Sequence, residues 1–334
     1  MSRINFEHTM AAHCESGTIA ALLNHAGLVI SEPMVFGVSG GIFFAYLKSK
    51  KLSFPMIVPR SRPGQIRVNI AKRLGIDFMC RTFRRPDDGM AALDATLAQG
   101  HPAAVQVDMF YMDYFPSYAR VHFNAHFVTV IGKENGAYIV SDCYHPAIAR
   151  VSEEAMRQGR YAGGDLAPKG LLFYPRSVPL SPELKPAILK GIKDACFNML
   201  RIPVPFLGVK GIRYFARKVV DWPKLTDDVD FLSHQIMLIS VTLEDRGTGG
   251  AGFRFMYATF LQEAAKTLGR ADLEKMSKEM MAIGDRWREI ALFTARIGKN
   301  RDLGPARLSE LSAMLAARAN EEEDFFKRLY VMVK

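Results

Sequence analysis

The sequence predicts an α+β chain, in which a first part built on an antiparallel sheet is followed by a mostly α-helical second part. Three observations predict it. Between Ala103 and Asp142, three segments rich in β-branched and aromatic residues are bounded by Gly, Pro and Asn, as strands are. The stretch Lys133-Glu134-Asn135-Gly136 ends in Asn-Gly, the dipeptide favoured by tight antiparallel hairpins. From Pro182 onward, apolar residues recur instead at helical spacing, with caps and breakers between the runs. A chain of 334 residues is long enough for two domains. The proline-rich stretch 175–186 (PRSVPLSPELKP) is the best junction, which puts one domain at 1–178 and a helical one at 179–334.

The elements follow in order. Ile19, Leu22, Leu23 and Ala26 repeat at i, i+3, i+4, i+7 and Gly27 follows, so an amphipathic helix starts at or beside Cys14. An apolar helix is expected over Gly40–Lys48, a short strand over Phe54–Pro59, a basic helix near Gly64–Leu74 and another helix over Asp87–Gln99. Strands are expected at Ala103–Asp108, Val121–Gly132 and Ala137–Asp142, with the last two paired so that His126 and Asp142 sit on neighbouring strands. The second part reads as helices over Pro182–Leu200, Val209–Trp222, Asp227–Leu243, Phe253–Leu268, Ala271–Ile297 and Ala306 to the end. A helical second domain with an apolar face could form a homodimer.

Composition excludes several classes. The chain is 49% hydrophobic and 23% charged, which argues against a disordered or fibrous protein. Its longest nearly uncharged apolar stretch, Met34–Leu47, is interrupted by Gly37, Gly40 and Gly41 and falls short of the ~20 residues of a membrane span. The first residues lack the apolar core of a secretion signal, and Cys14, Cys80, Cys143 and Cys196 show no CxxC spacing. Neither a zinc cage nor a disulfide framework is suggested, and a cytoplasmic location is expected. The net charge is +10. Eleven basic residues between Lys48 and Arg85 face only Asp77, and Glu183–Lys224 holds nine basic against three acidic residues. Such runs attract anionic partners. No nucleic-acid motif accompanies them.

Three residues could carry chemistry together: Cys14 at a helix start, His126 in one strand and Asp142 at the end of the next. A thiol attacks as its thiolate, which a free cysteine of pKa ~8.5 rarely forms at neutral pH. A helix N-terminus and a nearby imidazolium both favour the anion, and a carboxylate can fix the imidazole in one tautomer. His126 sits in an otherwise apolar run, a poor place for an unpartnered ring. A buried inert cysteine and a histidine bonded to the backbone is the alternative that spacing leaves open.

At this point the residues resemble a family. Cys14–Leu23 (CESGTIAALL), Ala125–Gly132 (AHFVTVIG) and Tyr138–Cys143 (YIVSDC) look like the papain-like cysteine fold, in its C39-type peptidase branch. More narrowly they resemble the BtrH-type acyltransferases of butirosin biosynthesis, in which a helical domain of unassigned function follows. Arg246–Arg254 (RGTGGAGFR) leading into Met256–Glu263 is similar to that helical domain. The resemblance implies a Cys–His–Asp triad that moves an acyl group from the thioester of an acidic acyl carrier protein to a small-molecule amine. Cys14 is then the nucleophile, His126 the acid/base and Asp142 the orienting carboxylate, with no cofactor or metal. Papain-like enzymes place a Gln about six residues before the nucleophile to hold the oxyanion, whereas this chain has His8. An imidazole N–H could donate there, and the backbone N–H of Cys14 is the second donor. Hydrolysis by the same triad, as a peptidase or thioesterase, is the alternative chemistry. A non-catalytic nucleic-acid or partner-binding protein is the alternative class.

Other motifs weigh less. Gly37-Val38-Ser39-Gly40-Gly41 satisfies G-x-S-x-G, but the acid follows the histidine and no parallel sheet surrounds it. The run Gly247–Gly252 satisfies G-x-G-x-x-G without a βαβ unit. Its turn opens a helix, so Gly249, Gly250 and Arg254 are expected either to receive the phosphate of a phosphopantetheine arm or to form a tight helix–helix turn. His122, four residues before His126 on the same expected strand, lies about 13 Å along it and lacks a third metal ligand. Cys143, next to Asp142, should point away into the core. Asp108, Asp113 and the aromatic run 110–115 are expected in a loop that could line an acceptor pocket.

Overall fold

The structure is a computed structural model that describes residues 3–50 and 52–334, so Lys51 of the basic run lies outside it. The chain forms two compact units: Met1–Val35 with Ile66–Glu183, and Phe36–Gln65 with Leu184–Lys334. These are not the sequential domains 1–178 and 179–334 that the proline-rich junction suggests. The late break is close, but residues 36–65 group with the C-terminal helices. The basic run 48–85 is accordingly divided between the units.

The first unit opens with α1 (Cys14–His25), and α2 (Glu32–Val38) runs across its boundary. In the second unit, β1 (Ile42–Leu47) pairs antiparallel with β2 (Met56–Arg60). The helix expected over Gly40–Lys48 is therefore a strand. Its residues, IFFAYL, are almost all apolar, and a buried strand of that kind cannot be told from a buried helix by period alone. Gly40, at φ 68°, makes the turn into it.

Back in the first unit, α3 (Gln65–Leu74), β3 (Asp77–Arg81), α4 (Pro86–Ala98) and β4 (Ala103–Val107) lead into the hairpin of β5 (His126–Glu134) and β6 (Ala137–Ser141). Asn135 and Gly136 form its two-residue loop at φ 48° and 73°, with Glu134 opposite Ala137. Positive φ at both loop positions is what a type I′ turn requires and what Asn-Gly supplies. The next elements, β7 (Ala149–Ser152), α5 (Glu153–Arg160) and β8 (Leu172–Ser177), complete a six-stranded sheet in the order β3-β8-β4-β5-β6-β7. Every pairing in it is antiparallel. Alternate residues Val105, Val107, Val128, Val130, Val140 and Val151 point into one core with Met90, Leu93 and Leu97 of α4 and Met156 of α5. α1 packs on β4, β5 and β8.

The second unit holds α6 (Leu184–Leu200), α7 (Gly208–Val219), α8 (Val229–Glu244), α9 (Arg254–Leu268), α10 (Ala271–Lys299) and α11 (Pro305–Met332). All six lie within a few residues of the ranges read from the sequence. α10 packs on α8 and α9, while α11 packs on α6 and α7. Trp222 is buried and donates from its indole N–H to the Tyr46 hydroxyl of β1 at 3.1 Å. No described helix is long and apolar enough to cross a membrane.

Candidate functional site

The site is assembled where α1 meets the ends of β5 and β6. Cys14 is the first residue of α1 and is buried. His13 caps the helix, its Nδ1 accepting from Ser16 N–H at 3.3 Å. Glu32 does more to fix the entry. Its carboxylate accepts from Ala12 N–H and His13 N–H at 2.8 Å each and from the Ser16 hydroxyl at 2.9 Å. Burial raises the Glu32 pKa and these hydrogen bonds oppose the rise. The two residues before the candidate nucleophile are thus tied by their backbone to a single side chain.

His126 begins β5 opposite Val107 of β4. Its Nε2 lies 2.7 Å from Asp142 Oδ2, and neither side chain is exposed. Asp142 follows Ser141, which pairs with Thr129 of β5, so the hairpin register itself delivers the carboxylate to the ring. Asp142 is held on both oxygens. Tyr114 donates its hydroxyl to Oδ2 at 2.7 Å, and the Tyr144 N–H donates to Oδ1 at 2.9 Å.

Charge follows from this geometry. Burial lowers the His126 pKa, but the Asp142 charge and hydrogen bond and the Cys14 sulfur outweigh it and carry it up to about 10. For Asp142, burial raises the pKa, and the His126 charge with three hydrogen bonds brings it below the ordinary carboxylate value. Burial first, then the Asp142 charge, raises Tyr114 well above the usual phenol range, so it stays a donor. His126 Nδ1 has no hydrogen-bond partner of its own, and the Cys14 thiol is the side chain that interacts with the ring besides Asp142. The Cys14 sulfur lies 3.6 Å from the Ala125 carbonyl oxygen, a long and weak contact for a thiol.

The structure brings Cys14, His126 and Asp142 together and leaves other candidates outside. His8 is not an oxyanion donor here. Its Nδ1 pairs with Ser141 Oγ at 2.8 Å and its Nε2 with the His145 carbonyl at 3.0 Å, so no ring N–H is left over. Arg254, Gly249 and Gly250 do not form an open phosphate cradle. Arg254 is fully buried, forks onto Glu322 at 2.8 and 3.0 Å, and donates to the Gly252 carbonyl at 2.7 Å. Trp287 also donates to Glu322 at 2.6 Å and stacks under the guanidinium. In the turn, Gly250 N–H goes to Thr248 Oγ1 and Ala251 N–H to the Glu244 carboxylate, a group that repels an anion. The glycines serve a tight turn between helices instead, with Gly250 at φ 89°.

His122 precedes β5 rather than lying on it, and pairs with Asp108 at 2.8 Å. Asp108 also accepts from Phe110 N–H and Phe123 N–H, so it ties the loop together. No group of three metal-ligating side chains occurs among the described residues. Ser39 of the G-x-S-x-G run is buried and donates to the Phe36 carbonyl at 2.6 Å. A Cβ on Gly37 would strike the Phe260 ring at 1.9 Å, so that glycine permits close packing. Cys143 is buried, as expected, and burial pushes its thiol far up. Three participants were not read from the sequence: Glu32, Tyr114 as a carboxylate partner, and Tyr144. The second unit holds a cavity of about 200 Å³ bounded by Phe54, Met56, Trp222, Ile239 and Arg246, and Cys14, His126 and Asp142 do not line it.

Comparison with known proteins comes to the same region. The family model for butirosin biosynthesis protein H, N-terminal, matches residues 13–143, which begin beside Cys14 and end beyond Asp142. A second family model, domain of unknown function (DUF4872), matches residues 154–329. No curated protein matches the chain. Among solved structures, one described as a candidate C39-like peptidase from Bacillus anthracis is similar at 13% identity and a TM-score of 0.37, covering 54% of this chain and 100% of its own. Residues 13–143 thus form a butirosin biosynthesis protein H N-terminal domain, and the chain belongs to the family whose DUF4872 domain follows it over residues 154–329.

Proposed function

We propose that this papain-like cysteine enzyme is an acyltransferase that passes an acyl group from a carrier-bound thioester through Cys14 to an amine. The observation that carries the reading is the fully buried His126–Asp142 pair, 2.7 Å apart, with the second ring nitrogen left for the Cys14 sulfur. A buried imidazolium beside a thiol at a helix start favours the thiolate, the form that attacks carbonyl carbon.

In the first half-reaction the Cys14 sulfur adds to the thioester carbonyl. The tetrahedral adduct collapses, the donor sulfur leaves, and it takes the proton from His126 Nδ1. The second half-reaction runs the same path with nitrogen. The amine adds to the Cys14 thioester, passes a proton to His126, and the Cys14 thiolate leaves as the amide forms. Exchange between thioesters is nearly balanced in energy, whereas aminolysis runs downhill. Asp142 keeps the ring in one orientation throughout and offsets its positive charge.

The net charge of +10 supports an anionic donor such as an acidic carrier protein bearing a phosphopantetheine arm. Arg254, fully buried and bonded through all three of its nitrogens, is not part of that reading. The experiment is intact-protein mass spectrometry after incubation with a panel of acyl thioesters, followed by a panel of amines. An acyl adduct on Cys14 that amines discharge faster than water supports transfer. Discharge by water alone means hydrolysis, and absence of any adduct in a protein whose Cys14 still alkylates rejects the acyl-enzyme.

A further inference from the structure

We infer that Tyr144 supplies the side-chain donor of the oxyanion site, so that the Tyr144 hydroxyl and the Cys14 N–H together hold the oxygen that becomes negative when Cys14 attacks. The inference rests on the acyl-enzyme reading above and names the group that reading lacks. His8, at the position expected to donate, has both ring nitrogens bound elsewhere.

The Cys14 N–H donates to the Tyr144 hydroxyl oxygen at 3.3 Å. The backbone donor of the nucleophile and a phenol therefore already converge on one place. The hydroxyl accepts that bond, and among the described residues its own proton has no protein acceptor. In the resting site that N–H closes on the phenol oxygen; an entering carbonyl oxygen would take the N–H over from the phenol and accept the phenol's own O–H as well, so that both donate to it. Charge supports the same role: burial first, and the neighbouring sulfurs second, raise the Tyr144 pKa well above the phenol range, so the proton stays available.

Two other contacts aim the ring. The Tyr144 N–H donates to Asp142 Oδ1 at 2.9 Å, and the ring lies 5.3 Å from that of His126. The residue that follows the triad acid by two positions is thereby held over the nucleophile. When the sulfur adds, the carbonyl π bond becomes a lone pair on oxygen. No proton moves to it, and the charge returns to carbon–oxygen bonding on collapse.

The test compares two reactions of the whole chain. Acylation by p-nitrophenyl acetate develops an oxyanion; alkylation by iodoacetamide displaces iodide at a saturated carbon and needs no oxyanion site. Tyr144→Phe keeps the ring and removes the hydroxyl. The expected result is acylation of Cys14 slowed about 10²-fold, the scale of one lost oxyanion donor, with alkylation within about twofold of the parent. Equal slowing of both reactions means that the phenol only positions Cys14 and overturns the proposal, as does unchanged or faster acylation. If the parent chain alkylates at Cys14 but is never acylated, the acyl-enzyme reading itself fails, and the oxyanion site with it.

Discussion

Asp142 Oδ2 meets His126 Nε2 at 2.7 Å with both side chains sealed from solvent, and the same oxygen accepts the Tyr114 hydroxyl at 2.7 Å. The carboxylate therefore makes one charged and one neutral contact at a single atom. Its other oxygen is tied to the backbone of Tyr144. The proton affinity of the histidine is set by this cluster more than by the sulfur.

Replacing Asp142 by Asn tests that ordering. Without the charge, burial dominates and the His126 pKa falls from about 10 to below its ordinary 6.5. The imidazolium that favours the thiolate is then absent at neutral pH. Iodoacetamide labelling of Cys14 at pH 6 is expected to slow at least tenfold and to recover only toward pH 8–9, where an ordinary thiol ionises. Stopped-time labelling followed by mass spectrometry reads it, and an unchanged pH profile would show that Asp142 does not govern the pair.

Stability should follow pH in a defined direction. The folded His126 pKa lies above its unfolded value of about 6.5, so its contribution is complete below that pH and fades as pH rises through about 10. The folded Asp142 pKa lies below its unfolded value, so its contribution is present above about pH 4 and fades as pH falls through the folded value. Scanning calorimetry should show Tm level between about pH 4 and 6.5, falling as pH rises from 6.5 toward 10 and falling again in acid. Asp142→Asn should flatten the alkaline fall.

Tyr114→Phe removes one of three hydrogen bonds to the carboxylate and no packing atoms besides the oxygen. A hydrogen bond to a charged group is worth about 1.5–3 kcal/mol. Part is recovered as the remaining donors tighten, which leaves an expected loss of about tenfold in kcat/KM, with KM little changed. A steady-state assay with the best thioester from the panel decides it. An effect confined to KM would assign Tyr114 to substrate contact instead.

Arg254 and Glu322 make the opposite kind of prediction. The pair is wholly buried, and Trp287 shares the carboxylate. Arg254→Ala strands Glu322 in the core and should cost about 3–5 kcal/mol of stability. The double change to Met and Leu should recover much of it, because the desolvation of two charges disappears with the pair. Urea unfolding measures both. A single variant that unfolds like the parent would refute the structural role.

Much of the site was legible because its residues carry local signals. A helical apolar stripe ending at Gly27 places Cys14 at a helix start, and Asn135-Gly136 fixes the hairpin that brings Asp142 to His126. What the sequence could not show depends on partners distant in the chain. His8 has the right spacing from Cys14 but spends its nitrogens on Ser141 and His145, and Arg254 spends its donors on Glu322 and Gly252. Glu32 carries no motif, and only the fold brings its carboxylate to the Ala12 and His13 amides. β1 was hidden for a different reason. A strand buried on both faces loses the alternation that would mark it.

Near the end of the first unit, β8 (Leu172–Ser177) inserts between β3 and β4. A ribosome that has released the whole match to residues 13–143, with Cys14, His126 and Asp142 in it, has thus made a nascent sheet with a gap in its middle. Until residue 177 emerges, the facing edges of β3 and β4 carry unanswered amides and carbonyls, the template on which foreign strands polymerise. Truncation just past Cys143 should accordingly yield insoluble polypeptide, and the smallest fragment worth expressing for the first unit extends to Glu183.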